Sequence, residues 1–388
     1  MSKFIIGLAK HFPAVVLTGA RQVGKTTLLR NAFPSHNYVS LDLPSTAESA
    51  ETESEAFLKR YPAPLIIDEI QYAPKLFRHL KRAIDANRHA MGQFILTGSQ
   101  KFELMKEVSD SLAGRVAVVE LEGLSLNEVG LSKFPLEHQI VRGAFPELWR
   151  AIDIPETAFY SSYLATYLER DVRQILGVTN LRDFERFIRA CAARNGQLLD
   201  KTSLGCDVGV SSKAVASWLS VLQASNQIVL LEPWFANFGK RLVKTPKLYF
   251  CDTGLLCFLL GITGNEILRS PFTGSIWETL VFAEMRKSIA LSMVPKSLWF
   301  YRDSQGKEVD FLCLGGNHTL LIECKWKESA DKSDAHWMND VVRIASEKNI
   351  PEFAHWKSFV VCRTSEPYSL GTGTRAIPLS ELSSIFRQ

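Results

Sequence analysis

The sequence predicts an α/β protein of several domains, headed by a parallel sheet with helices on both faces. Three observations predict it. The apolar run Val15-Val16-Leu17-Thr18 leads into the glycine-bounded loop Gly19-Ala20-Arg21-Gln22-Val23-Gly24-Lys25-Thr26-Thr27, and then into an apolar-periodic segment. Short apolar runs at 14–18, 38–41, 64–68, 93–97 and 115–121 alternate with helical patterns, including 75–89 and 102–113. Strands spaced by helices of this length pair in parallel. A further apolar run, Leu65-Ile66-Ile67, ends in the two acids Asp68 and Glu69.

Length and composition set the bounds. At 388 residues two or three domains are expected. Hydrophobic residues at 46% and charged residues at 22% describe an ordinary globular chain. The net charge of +4 permits nucleic acid as a partner without demanding it. The seven cysteines are scattered with no C-x-x-C pair, which argues against a zinc site or a disulfide framework. Free thiols, a poor signal-peptide pattern and no long apolar run give a cytoplasmic expectation with no membrane span.

The loop fits strand, then G-x-x-x-x-G-K-[ST], then helix, the pattern that wraps polyphosphate. Gly19 and Gly24 permit backbone angles that let consecutive N–H groups point at phosphate oxygens. The helix start adds the positive end of its dipole. Lys25 supplies a mobile charge for the β- and γ-phosphates, and Thr26 offers its hydroxyl to Mg²⁺. The expected cofactors are therefore ATP and Mg²⁺. The acidic stretch 45–60 reads as a solvated helix without a catalytic role. Asp68 and Glu69 stand at the carboxyl end of a buried strand, the edge where open α/β sheets bind ligands. Asp68 is expected in the Mg²⁺ shell and Glu69 to polarise the attacking water. The run Phe94-Ile95-Leu96-Thr97-Gly98-Ser99-Gln100 is another strand ending in small polar groups, and Ser99 or Gln100 is placed to contact the γ-phosphate or the water. Arg115 opens the last strand, where it can face a neighbouring subunit's nucleotide or form a surface salt bridge.

Together these elements resemble the AAA+ branch of P-loop ATPases. The specific likeness is to a bacterial and archaeal family reading G-x-R-Q-x-G-K-T-T, D-E-x-Q, T-G-S and L-A-G-R, here at 19–27, 68–71, 97–99 and 112–115. The stretches 124–128 and 142–147 also look like that family. The resemblance implies sheet order 5-1-4-3-2, a small helical lid and Arg115 as a finger acting in trans, hence a homo-oligomer. Arg142 and Arg170 both stand as candidates for a second sensor arginine.

Residues 150–195 read as helices whose Tyr160, Tyr163, Leu164, Tyr167 and Leu168 recur at helical spacing, a core stripe. Residues 196–235 read as helix, glycine turn, helix with Ser211 as N-cap, then a strand, which suits a winged helix. The basic run 239–247 is either a wing touching phosphates or a solvated hairpin. Farther on, Glu278 lies on an amphipathic helix, Asp310 on one strand of a hairpin, and Glu323 and Lys325 on one face of the other. These match the D…E-x-K motif and helix acid of the PD-(D/E)XK restriction-endonuclease-like fold, with Val309 where that motif carries proline. In the family named above, the C-terminal region is a domain of unknown function assigned to this fold. Residues 331–388 read as one helix, a strand at 358–362 and a closing helix.

The expected architecture is thus 1–122 an AAA+ ATPase core, 123–195 a helical lid, 196–250 a winged helix and 251–388 a nuclease-like domain. The expected activity is ATP hydrolysis coupled to work on DNA. A metal-dependent DNA nuclease regulated by ATP and a non-catalytic nucleotide-switched scaffold, with an unidentified protein partner, stand as alternatives.

Overall fold

The computed structural model describes every residue except 100, 132, 168–171, 173–180, 235–243, 317, 372 and 387–388, and omits the side chains of 101–103, 106 and 265. The chain divides into two compact units. The first holds Met1–Gly123, Phe145–Glu147 and Ala224–Asn226, and the second holds Leu124–Ala144, Leu148–Gln223 and Gln227–Gln388.

In the first unit, β1 (Ala14–Thr18), β2 (Asn37–Ser40), β3 (Leu65–Asp68), β4 (Phe94–Gly98) and β5 (Val116–Glu120) form one sheet in the order β2-β3-β4-β1-β5. Every pairing is parallel. This is the 5-1-4-3-2 order expected from the resemblance. β1, β3 and β4 are buried at every position, as strands covered on both faces must be. The edge strand β5 alternates instead and leaves Val118 exposed. The registers Thr18↔Gly98, Thr18↔Glu120 and Ser40↔Asp68 bring the carboxyl ends of all five strands to one edge. The core is aliphatic and aromatic, with Leu65, Ile67, Leu96 and Leu104 against Phe77, Leu80 and Ile84. The expected single helix at 45–60 is two, Pro44–Thr52 and Ser54–Arg60. The Thr52 and Ser54 hydroxyls bond back to the Glu48 and Ala50 carbonyls at 2.7 and 2.6 Å. Such local bonds compete with the helical ladder.

The second unit opens with the short helix Leu126–Val129, then Leu136–Arg142, Glu156–Tyr167 and Leu181–Ala193, and Tyr160, Tyr163 and Tyr167 are core residues. Leu168 lies outside the described residues. Helices Lys201–Val208 and Ser212–Ala224 follow, joined through Gly209 at φ +82°. Asp200 caps the first at 2.9 and 3.0 Å, and Ser211 the second at 3.2 Å. The second helix exposes Ser212, Lys213 and Ser217 and buries Val215, Trp218, Leu219 and Leu222. An antiparallel ribbon, β6 (Ile228–Leu231) with β7 (Lys247–Phe250), comes next. Most of the basic run 239–247 lies outside the described residues. Its last member corrects the expectation of a solvated or phosphate-touching residue: Lys247 is 2% exposed.

The remaining strands β8 (Ser297–Arg302), β9 (Glu308–Leu314), β10 (Thr319–Cys324), β11 (Trp356–Cys362), β12 (Tyr368–Gly371) and β13 (Thr374–Pro378) form a mixed sheet ordered β12-β13-β11-β10-β9-β8. β8 and β10 each pair antiparallel with β9, whereas β11 pairs parallel with β10. The helix Thr273–Ala290 is not amphipathic as expected: every residue from Thr279 to Met285 is buried. Trp277 on this helix donates from Nε1 to the Val361 carbonyl at 3.2 Å. The β12–β13 hairpin was not expected. Its strands of four and five residues are too short to show a period, with Gly371 ending the first and Gly373 just before the second. Among the described residues no helix is long and apolar enough to cross a membrane.

Candidate functional site

The loop 19–27 leaves β1 through a position only glycine can hold. Gly19 has φ +148°, and a Cβ there would stand 2.2 Å from the Leu121 carbonyl oxygen. Gly24, at φ +90°, caps the helix Lys25–Ala32 from the left-handed region. Between them Ala20, Arg21, Gln22 and Val23 carry the chain around, with Gln22 also left-handed at φ +61°. Lys25 is 6% exposed and folds back over the loop, donating to the Gly19 and Ala20 carbonyls at 3.0 and 2.8 Å. Thr26 and Thr27 occupy the first turn of the helix.

Thr26 reaches the acid pair. Its hydroxyl donates to Asp68 Oδ2 at 2.7 Å, and the Tyr38 hydroxyl donates to the same oxygen at 2.9 Å. The Thr97 hydroxyl donates to Asp68 Oδ1 and accepts from the Glu69 backbone N–H at 3.2 Å. Burial, then the Asp68 charge, pushes the Tyr38 hydroxyl up to about 12. Glu69 adopts φ +56°, an uncommon conformation for a residue with a side chain and one that collects at functional sites. Its Oε2 accepts from the Ser99 N–H at 3.2 Å, from the Ser99 hydroxyl at 3.0 Å and from the Gln71 amide. Loop and three strand ends thus meet at one edge. ATP with Mg²⁺ fits these residues. The loop carries a buried lysine at the start of its helix, and a hydroxyl and a carboxylate, those of Thr26 and Asp68, stand in contact beside it.

The structure places the other expected residues less uniformly. Ser99 touches Glu69, while Gln100 lies outside the described residues. Tyr38, Gln71 and Thr97 had no assigned role in the sequence reading. For Gln71 and Thr97 the signal was position, just past the carboxyl end of β3 and at that of β4, whereas Tyr38 is the second residue of β2 and carried none. Arg115 stands at the other edge. Ala14, the first residue of β1, pairs with Val116, so Arg115 precedes β5 at the end opposite the loop. Its guanidinium grips Asp85 through two bonds, at 2.6 and 3.0 Å, and that hydrogen bond holds the Asp85 carboxyl below its usual range. Arg142 is corrected as a sensor. It is buried, and it donates to the carbonyls of Leu148, Ala151 and Ile152 and to Glu156, so it clamps a helix end. Arg170 lies outside the described residues.

In the second unit Glu278, Asp310, Glu323 and Lys325 come together. β9 and β10 pair Ile322 with Phe311, which brings Asp310 to the end of β10. There Asp310 Oδ2 accepts from the Cys324 N–H at 2.8 Å. Lys325 meets Glu323 Oε1 at 2.8 Å, and Glu323 Oε2 is buried with no hydrogen bond. Three residues that the sequence did not single out for this cluster complete it. Glu278 Oε1 accepts from Lys247 Nζ at 3.1 Å and from the Tyr249 hydroxyl, and Lys247 also pairs with Glu308. Burial, then the Asp310 charge, pushes Glu278 up to about 7 and Glu323 up to about 8. Burial raises Asp310 too, against the pull of Lys247. Among the described residues no three carboxylate, imidazole or thiolate groups are arranged to hold a metal ion. One oxygen each of Glu278, Asp310 and Glu323 accepts from a protein donor.

The parallel sheet order, the loop and the acid pair define a P-loop ATPase fold of the AAA type. Comparison with known proteins agrees. Residues 11–130 match the family described as AAA domain. Residues 134–266 match a domain of unknown function (DUF8612), and residues 273–382 match another (DUF4143). Uncharacterized protein Rv2008c of Mycobacterium tuberculosis is 34% identical over 302 residues, covering 77% of this chain and 67% of that protein. The chain belongs to the family of that protein. Uncharacterized protein MJ1544 of Methanocaldococcus jannaschii is 25% identical over 343 residues, covering 80% and 74%. Among solved structures, the Walker-type ATPase paby2304 of Pyrococcus abyssi aligns at 15% identity with a TM-score of 0.45, over 66% of this chain and 94% of that one.

Proposed function

We propose that the protein is a Mg²⁺-dependent ATPase whose cycle is coupled to a DNA-associated activity. One observation carries the hydrolytic part. Glu69 holds its carboxylate 3.0 Å from the Ser99 hydroxyl, next to an Asp68 that Thr26 of the phosphate loop contacts at 2.7 Å. Backbone N–H groups of the loop and the helix start hold the phosphates. Lys25 moves from the Gly19 and Ala20 carbonyls onto the β- and γ-phosphate oxygens. Thr26 and Asp68 would hold Mg²⁺, which neutralises phosphate charge when bound. Glu69 leaves Ser99 and Gln71 to orient the attacking water and take its proton. Arg115, released from Asp85, serves the nucleotide of a neighbouring copy.

The DNA part rests on the helix–turn–helix and ribbon at 196–250, which suit a winged helix. It rests also on the sheet β8–β11 with its preceding helix, which suits a restriction-endonuclease-like domain used for binding. The test is a steady-state ATPase assay with and without several forms of DNA. DNA-stimulated turnover that is lost in Lys25→Ala and Glu69→Gln supports the proposal, and intact turnover in both variants removes it. A second reading makes nucleotide a switch of oligomeric state on a non-catalytic scaffold. Very slow turnover with nucleotide-dependent size in solution would favour it.

A further inference from the structure

Lys247 is a charge in a place where charge is expensive. Its side chain is 3% exposed and its ammonium sits 3.1 Å from Glu278 Oε1, against Glu308, and 3.4 Å from the Tyr249 hydroxyl. Burial alone lowers its hold on the proton. Glu278, then Asp310 and Glu308, outweigh burial and hold it charged. The residues around it do not fit the divalent cation that a PD-(D/E)XK-like cluster implies. Glu278 Oε1 accepts from both Lys247 and Tyr249, and the far oxygen of Glu308 is taken by Arg302 at 2.7 Å. Asp310 accepts from the Cys324 N–H, and one oxygen of Glu323 is taken by Lys325. Glu323 Oε2, on a residue 7% exposed, is buried and unbonded among the described residues. A divalent cation at these acids would stand against the Lys247 ammonium, which lies 3.1 Å from Glu278 Oε1 and repels it.

We propose that the Lys247 ammonium is the resident cation of this cluster: it neutralises Glu278, Glu308 and Asp310 in place of a metal, so the domain neither loads Mg²⁺ there nor cuts DNA. Removing it uncovers a divalent-cation site on Glu278, Asp310 and Glu323. The inference concerns the second unit alone and stands or falls independently of ATP hydrolysis.

The experiment is Mn²⁺ binding to nucleotide-free full-length protein, read from the loss of the free Mn²⁺ paramagnetic resonance signal. Wild type and Asp310→Asn are expected to bind the same amount. Lys247→Met is expected to gain one Mn²⁺ per chain and to melt higher with Mn²⁺ than without. The gain should vanish in Lys247→Met/Asp310→Asn. If Lys247→Met does not fold, Lys247→Gln, which keeps a donor toward Glu278, carries the same comparison. A Mn²⁺ site in wild type that Asp310→Asn removes overturns the proposal. Mn²⁺-dependent plasmid nicking that Asp310→Asn removes also overturns it, as does a folded Lys247 variant with no added site.

Discussion

Glu69 and Lys25 both sit in conformations that look ready to change partner. Lys25 bonds loop carbonyls that phosphate oxygens would replace, and the Glu69 carboxylate is held by Ser99 and Gln71. Lys25→Ala is therefore expected to weaken ATP binding by at least about 100-fold, measured with a fluorescent nucleotide, because a buried charge-assisted contact is lost. Glu69→Gln keeps size and hydrogen bonds but not basicity. It should bind ATP as wild type does and turn it over about 10²–10⁴-fold more slowly. Gly19→Ala is the steric counterpart: a methyl 2.2 Å from the Leu121 carbonyl cannot be accommodated. The variant should lose nucleotide binding and melt at a lower temperature. At this scale the sequence was most legible. The loop, Asp68 and Glu69 are close in sequence to the strands that display them, so strand-end position could be read directly. Tyr38 and Thr97 were not assigned, because their contact with Asp68 depends on β2 and β4 flanking β3.

At the scale of elements, the hairpin β9–β10 and the helix Thr273–Ala290 gather carboxyls that prefer to be protonated. Glu278 and Glu323 are pushed up to about 7 and about 8 from an ordinary 4.5. Between these limits the folded chain binds more protons than the unfolded chain, so stability falls as pH rises. The favourable contribution is complete below about pH 4.5 and is lost by the time pH passes about 8. The melting temperature of the second unit should drop across that window, and Glu323→Gln, which cannot ionise, should flatten the slope. A flat wild-type profile would rule out this protonation pattern. The D…E-x-K pattern on two strands was legible because strand alternation fixes which side chains share a face. Lys247 was not, since it lies 31 residues before Glu278 in sequence and reads locally as the end of a basic run. The β12–β13 hairpin escaped for a different reason, having strands too short to carry a period.

For the molecule as a whole, the placement of Arg115 sets the question. It stands at the sheet edge away from its own phosphate loop and is paired with Asp85. It cannot serve the chain that carries it, so any role as a finger requires a second copy. Arg115→Ala should then lower turnover by about 10³-fold or more while leaving ATP affinity unchanged. Specific activity of wild type should rise with protein concentration. Asp85→Ala frees the guanidinium without removing it and should retain turnover. Equal activity of Arg115→Ala and wild type would reduce the arginine to a surface ion pair.

The sequence by itself determined the parallel ATPase sheet, the phosphate loop and the strand-end acids. Each is encoded by contiguous residues whose period, glycine positions and terminal charges act over a few bonds. Only the tertiary structure decided what those groups touch. It tied Arg115 to Asp85 and buried Arg142 in a helix clamp, and it brought the Lys247 ammonium among Glu278, Glu308 and Asp310. The physical reason is that a charged side chain is placed by its partners. Those partners are far apart in the chain until the sheets bring them together.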